Sequence, residues 1–185
     1  MNKKSSFREL APGSFIYALD NALDHSICQD MITRFESHPE QQYQGKIGQH
    51  ATTEQSIKRS TDLRISGRED WSDIDNRLQQ SLSHGLGLLA GLHPFFKTNR
   101  LNDIGYNMQK TNAGEYYHWH VDGGPGEFSK RQLVAIWYLN AAPESGGETE
   151  FYFQKLKVKP ECGMLLLFPP FWTHLHRGSK VNSGN

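Results

Sequence analysis

The chain has 185 residues, with 20 Lys and Arg balanced by 20 Asp and Glu, so its formal net charge is zero. Lacking a uniform basic or acidic field, it has no long-range pull toward nucleic acid or an anionic membrane, and neither is expected as a partner. Its longest apolar run, residues 164–168, is far too short to span a bilayer, and the overall length suits a single domain.

The opening stretch MNKKSSFREL carries no apolar segment of the kind a secretion signal needs, so a cytoplasmic location is expected. Its Lys3-Lys4 pair, like Lys155 and Lys157 later in the chain, reads as solvated surface. Residues 15–19 (FIYAL) read as a short strand. Asp24 stands where a helix N-cap belongs, and Ile27, Met31, Ile32 and Phe35 recur at helical spacing, predicting a helix from residue 25 to about 37 that His38-Pro39 ends. Cys28, on that helix, and Cys162 are the only cysteines; nothing in the sequence pairs them, and free thiols in a reducing compartment are expected.

Residues 40–68 are polar and without clear periodicity, which predicts a long loop acting as a lid or a substrate-binding segment. A second helix is expected from about Asp70-Trp71, with Trp71, Ile74, Leu78 and Leu82 on its inward stripe. Asp70 and Asp73 complement its positive end. Gly85 and Gly87 weaken it, and Gly91 with Pro94 close it. Both helices are expected to cover one face of a sheet.

After Asn102-Asp103 the pattern becomes one of short strands between turn residues. Residues 104–110 alternate, 115–121 form a strand ended by Asp122-Gly123-Gly124-Pro125-Gly126, and 133–139 (LVAIWYL) read as a buried strand. A loop at 142–147 leads to a strand at 148–153, and residues 164–168 form a fully apolar central strand stopped by Pro169-Pro170. Many short strands with Gly and Pro turns argue for a double-sheet jelly roll or barrel.

Within this half, TNAGEYYHWHVD holds His120 and Asp122 two residues apart, on one face of an extended strand. An imidazole and a carboxylate so placed make two thirds of a facial site for a divalent metal. A third ligand is available from His174 or His176, also beside a turn. Two histidines and one carboxylate leave three coordination positions open, the arrangement of non-haem Fe(II) oxygenases. Solvated surface histidines, or imidazoles sharing hydrogen bonds in a core, are the plainer reading of the same residues.

In order along the chain stand Gly114, Tyr117 and His120-x-Asp122; Tyr138-Leu139-Asn140; Gly146-Gly147-Glu148-Thr149-Glu150-Phe151; Pro160-x-x-Gly163 with Leu167-Phe168-Pro169; and His176-x-Gly178 with Val181 and Gly184. Together they resemble the Fe(II)/2-oxoglutarate-dependent dioxygenases, in particular the prolyl 4-hydroxylase-like branch. The resemblance implies a mainly β fold with N-terminal helices (α+β): a double-stranded β-helix (jelly-roll) core over residues 104–185, and a helical support region with a variable loop over residues 1–103. It implies Fe(II), 2-oxoglutarate and O2 as reactants, with ascorbate as an auxiliary reductant, and succinate and CO2 as products. The substrate it implies is a peptide, a peptidyl proline above all, or a small molecule. It assigns His120, Asp122 and His176 as iron ligands; His176 is preferred to His174 because Gly178 and Val181 follow it at the family's spacing. It places Tyr138, Thr111 and Thr149 on the cosubstrate, with Thr111 standing where the family usually has tyrosine.

The family also anchors the cosubstrate's far carboxylate with a Lys or Arg nine or ten positions after the last ligand. Here the ninth position is Asn185, the last residue given, while Arg177 and Lys180 lie too close to His176. A further basic residue and a closing strand are therefore expected to follow. Two rival readings share the barrel: a catalytically inactive jelly-roll binding module, and a cupin-type metalloprotein. The cupin reading wants a Glu at a short fixed interval after His-x-His, and Glu127 stands at the wrong distance from His118-x-His120. Neither the substrate nor the oligomeric state is legible from the sequence.

Overall fold

The computed structural model describes residues 6–48, 51–142 and 145–183. Lys3-Lys4, the Pro143-Glu144 part of the predicted 142–147 loop, Gly184 and Asn185 lie outside them. The chain opens with strands β1 (Phe7–Glu9) and β2 (Tyr17–Leu19), followed by helix α1 (His25–Ser37). Strands β3 (Tyr43–Gln44), β4 (Lys58–Arg59) and β5 (Thr61–Arg64) precede the long helix α2 (Ser72–Leu92) and the short α3 (Phe95–Thr98). The rest is β6 (Asn107–Lys110), β7 (Tyr116–His120), β8 (Val134–Trp137), β9 (Thr149–Phe151), β10 (Leu156–Val158), β11 (Leu165–Phe168) and β12 (His176–Gly178). No helix of the described residues is long and apolar enough to cross a membrane.

Three antiparallel sheets result: β1-β2-β11-β8, β10-β9-β12-β7-β4 and β3-β5-β6. The first two face each other. Leu166 and Phe168 of β11 and Ala18 of β2 meet Phe151 of β9 and Val158 of β10 in one buried cluster between them. The alternate residues of the same strands, Leu165, Leu167, Tyr17 and Leu19, turn the other way and pack with Leu82, Leu86 and Leu89 of α2. β11 is thus covered on both faces, which is why it reads as an unbroken apolar run. A third cluster joins Cys28, Met31 and Phe35 of α1 to Trp71, Ile74 and Leu78, and both to Leu63, Ile65 and Met108 at the small sheet.

The fold departs from the sequence reading in two places. Helices do not lead the chain: two strands come first and α2 lies mid-chain, and β1, β2 and β4 join the two main sheets although they precede residue 104. Gly85, expected only to weaken α2, sits inside it against the sheet. A Cβ there would come within 3.0 Å of Leu165 and 3.5 Å of Leu167, so the glycine lets the helix lie close on the sheet, and packing outweighs its low propensity. Residues 40–68 are not a plain loop, because three short strands cross them. Asp24 does hold the N-cap position of α1, in extended backbone, though its side chain makes no capping hydrogen bond.

Candidate metal centre

His120 closes β7 and His176 opens β12, and the two are directly opposed across the strand pair. Opposed residues of an antiparallel pair send their side chains to the same face, and here the two rings stand 4.2 Å apart. On its other side His176 opposes Phe151, a residue of the cluster between the sheets. Its imidazole packs against Phe168 at 4.8 Å and Phe151 at 5.8 Å. Both histidines therefore point inward at the mouth of the sandwich. Asp122 arrives two residues after the end of β7, its Oδ2 3.3 Å from His176 Nε2. One ligand atom from each of His120, Asp122 and His176 lies within 4.8 Å of the others, a grouping that occurs once among the described residues.

The backbone fixes which nitrogens are offered. His120 Nδ1 lies 2.7 Å from the His118 carbonyl and His176 Nδ1 lies 2.9 Å from the His174 carbonyl. A carbonyl can only accept, so each Nδ1 carries a hydrogen, and Nε2 is the nitrogen left to turn a lone pair to a metal once it holds no proton. That is how protein metal sites orient histidine ligands. The preceding histidines therefore act through their backbone carbonyls. The buried His174 ring is bonded to Ser14 O at 2.9 Å and to Thr173 Oγ1 at 2.9 Å, while the exposed His118 ring lies beside Tyr116.

Burial, and then the neighbouring His176, push His120 down to about 4, so it is neutral and competent to bind metal well below neutrality. Burial raises the Asp122 carboxyl, but the hydrogen bond and charge of His176, with His120 and Arg131, more than offset it and hold the group below its ordinary range. In the metal-free protein the sign follows directly. Between pH 6.5 and about 4 an unfolded chain binds a proton at residue 120 that the folded chain refuses, so stability falls as pH drops through that window. Thermal unfolding in chelator across pH 4–7 should show this slope, and His120→Gln should flatten it; an unchanged slope would remove His120 as its source.

Three further side chains complete the setting. The Tyr117 ring stacks under His120 at 3.5 Å, with 12° between planes. A register shift between His176 and Gly178 in the pairing with β7 brings Tyr117 to the same face as a residue three positions on. Arg131 donates to the Asp122 carbonyl at 2.9 Å, stands 3.7 Å from its Oδ1, and lies over the Phe128 ring. Lys58 of β4 opposes Tyr117, with its ammonium 5.2 Å from that ring. It is only 6% exposed and paired with Asp62 at 2.8 Å, whose other oxygen accepts from Ser60 at 2.8 Å. The sequence reading missed this network. Its signal was present as a period-two pattern, but one of polar residues, Lys58-x-Ser60-x-Asp62.

Of the three expected cosubstrate residues, two come together: Tyr138 Oη and Thr149 Oγ1 are 2.7 Å apart. Burial pushes the phenol's pKa up, so it stays a neutral donor. Thr149 lies on β9, two residues before Phe151 and opposite Gly178 of β12. Thr111 follows β6, and its hydroxyl accepts a 3.4 Å bond from the Gln109 amide; among the described residues no hydrogen bond joins it to the other two. Arg177 turns to the outer face, over Trp119 and against Glu150, and Lys180 is exposed.

Residues 106–185 match the family model of the 2OG-Fe(II) oxygenase superfamily. This segment is similar to that superfamily over fewer than half of the chain's residues. Solved structures resemble the chain over nearly all of its length. The viral collagen prolyl hydroxylase of Paramecium bursaria Chlorella virus-1, in its 2OG complex, is 20% identical over 95% of this chain and 93% of its own, with a TM-score of 0.68. A Trichoplax adhaerens prolyl hydroxylase, in complex with a hypoxia inducible factor peptide fragment, is 15% identical over 92% and 80%, with a TM-score of 0.71. A Pseudomonas putida prolyl-4-hydroxylase is 17% identical over 92% and 86%, with a TM-score of 0.65. Comparison with curated protein sequences finds no match. The two facing antiparallel sheets thus form the jelly-roll fold that these solved structures share.

Proposed function

We propose that this chain is a 2OG-Fe(II) oxygenase that hydroxylates a peptidyl substrate, with His120, Asp122 and His176 as the iron ligands and the Tyr138–Thr149 pair on the cosubstrate. One observation carries the reading. Two opposed histidines, each with Nδ1 tied to a backbone carbonyl, bring one ring nitrogen apiece within 4.8 Å of a carboxylate oxygen. The donor set suits Fe(II): two neutral imidazoles and one ionised carboxylate, with no thiolate. Bound iron with 2-oxoglutarate supplies the oxidising chemistry, which inserts one oxygen atom of O2 into a substrate C–H bond and yields succinate and CO2.

The protein's own residues do the positioning. The His118 and His174 carbonyls hold the two rings, Arg131 holds the Asp122 backbone and stays beside its carboxylate, and Phe151 and Phe168 keep water from the inner side of His176. Tyr138 and Thr149 present two hydroxyls, able to donate to an anionic oxygen. Removing one such bond to a charged group costs about 1.5–3 kcal/mol. Tyr138→Phe should therefore raise the 2-oxoglutarate KM by about tenfold or more while leaving iron binding intact. An unchanged KM would take Tyr138 off the cosubstrate.

Three features support a peptide as substrate. The resemblance is to prolyl hydroxylases, and one similar structure holds a peptide fragment. Outside the ligands, the mouth also carries Val121 and the exposed Phe171 and Trp172; the loop after Asp122 is tied to that pair by the Gly123 amide bonding Pro170 O at 2.7 Å. The test offers proline-containing peptides and free proline in parallel. A peptide that gains one oxygen by mass while succinate forms supports the proposal, and oxidation of free proline alone overturns the peptidyl assignment.

A further inference from the structure

The two cysteines lie far apart in sequence and have no part in the metal centre. Cys28 is fully buried on α1, in the cluster shared by the helices and the small sheet, and Cys162 packs against that same cluster from the turn before β11. Packing against one cluster makes the two thiols neighbours, close enough for each to influence the other. The turn is pressed onto the start of α1. Leu23 N donates to Gly163 O at 3.1 Å, and a Cβ at Gly163, whose φ is +79°, would come within 2.4 Å of Leu23 O. Only glycine allows so close an approach. The sequence offered no sign of this pairing, because the contact exists only once α1 docks.

We propose that Cys28 and Cys162 form an oxidisable dithiol, a modification site at which a hydroperoxide closes an intramolecular disulfide between α1 and the turn before β11. The asymmetry of the pair sets the order of events. Cys162 is partly exposed and donates to the Leu139 carbonyl at 3.2 Å, whereas Cys28 is 0% exposed and meets the oxidant only through its neighbour. Burial and the adjacent thiol push Cys28 up to about 12, which keeps it protonated at rest. Hydrogen peroxide oxidises the Cys162 thiol to a sulfenic acid and is itself reduced to water. The Cys28 sulfur then attacks the Cys162 sulfur, its proton leaves with the hydroxyl as a second water, and the S–S bond forms. Two thiols and one peroxide thus become one disulfide and two waters. The Cys162 turn also reaches the cosubstrate side of the site: Gly163 N donates to Tyr138 O at 2.8 Å and Tyr138 N to Met164 O at 3.0 Å.

The test uses the full chain, reduced and then freed of metal with chelator, so that it does not depend on the oxygenase reading. After exposure to hydrogen peroxide and alkylation of the remaining thiols, proteolytic mapping without reductant should find the Cys28 peptide linked to the Cys162 peptide. On a denaturing non-reducing gel the protein should run as a single chain, its intact mass should fall by two hydrogens, and dithiothreitol should reverse the change. Cys28→Ala should leave Cys162 trapped as a sulfenic acid by dimedone, and Cys162→Ser should leave Cys28 unmodified. Thermal unfolding of the oxidised wild-type protein should move upward, because the bond closes a long loop of the unfolded chain. Two separately alkylated cysteines in peroxide-treated wild-type protein, or links only between two chains, would overturn the proposal.

Discussion

His120→Ala should reduce 2-oxoglutarate-dependent succinate formation by about a hundredfold or more. Changing a residue that merely orients a metal ligand commonly costs about 10–100-fold, and this substitution removes a ligand of the proposed iron site outright. The control lies two residues upstream. His118 contributes its carbonyl to His120 Nδ1, and its own ring is exposed, so His118→Ala keeps that hydrogen bond and should retain activity within about threefold, a small change on the scale of a lost ligand. The contrast separates a role in chemistry from a general effect of losing imidazoles on β7. Both variants should fold, because the Cα pairing of His120 with His176 is a backbone feature. Succinate formation by His120→Ala at the parent rate would dismantle the metal centre as assigned.

How much of this could be read from sequence depended on whether a residue's reason for being there was local. The His120-x-Asp122 spacing was informative because a strand repeats every two residues, so one inference about local structure placed both groups. α1 was readable for the same kind of reason, with Met31 and Phe35 in a single stripe and its bounds set by Asp24 and His38. His176 is different. Its partnership with His120 is a matter of register between strands distant in sequence, and only the likeness of ordered motifs singled it out from His174. Gly85 read as a weak point in its helix because its compensation, close contact with Leu165 and Leu167, comes from another element. Thr111 was placed on the cosubstrate by family position alone, and the hydrogen bond its hydroxyl accepts from Gln109 is a local one.

The strands within residues 40–68 escaped notice for a physical reason that can be tested. β4 and β5 point Lys58 and Asp62 inward at 6% and 3% exposure, so the buried face is charged and a hydrophobic pattern is absent where one was sought. Lys58→Met should cost about 3–5 kcal/mol, since it leaves the Asp62 carboxylate buried with Ser60 as its remaining polar partner. For a chain of this length that is a fall in thermal midpoint on the order of 10 °C. The double variant Lys58→Met/Asp62→Leu should recover most of the loss, because a well-packed apolar pair of similar volume can replace a buried ion pair without net cost. The comparison also reports on the site. Lys58 lies against Tyr117, on which His120 stacks, and its charge is one of the influences that lower His120. A double variant that is stable yet turns over 2-oxoglutarate more slowly would show that the buried cation serves the metal centre as well as the sheet. A stable, fully active one would confine the pair to joining β4 to β5. If Lys58→Met alone unfolds at the parent temperature, the pair holds nothing, and another reason is needed for two charges in the wall of the site.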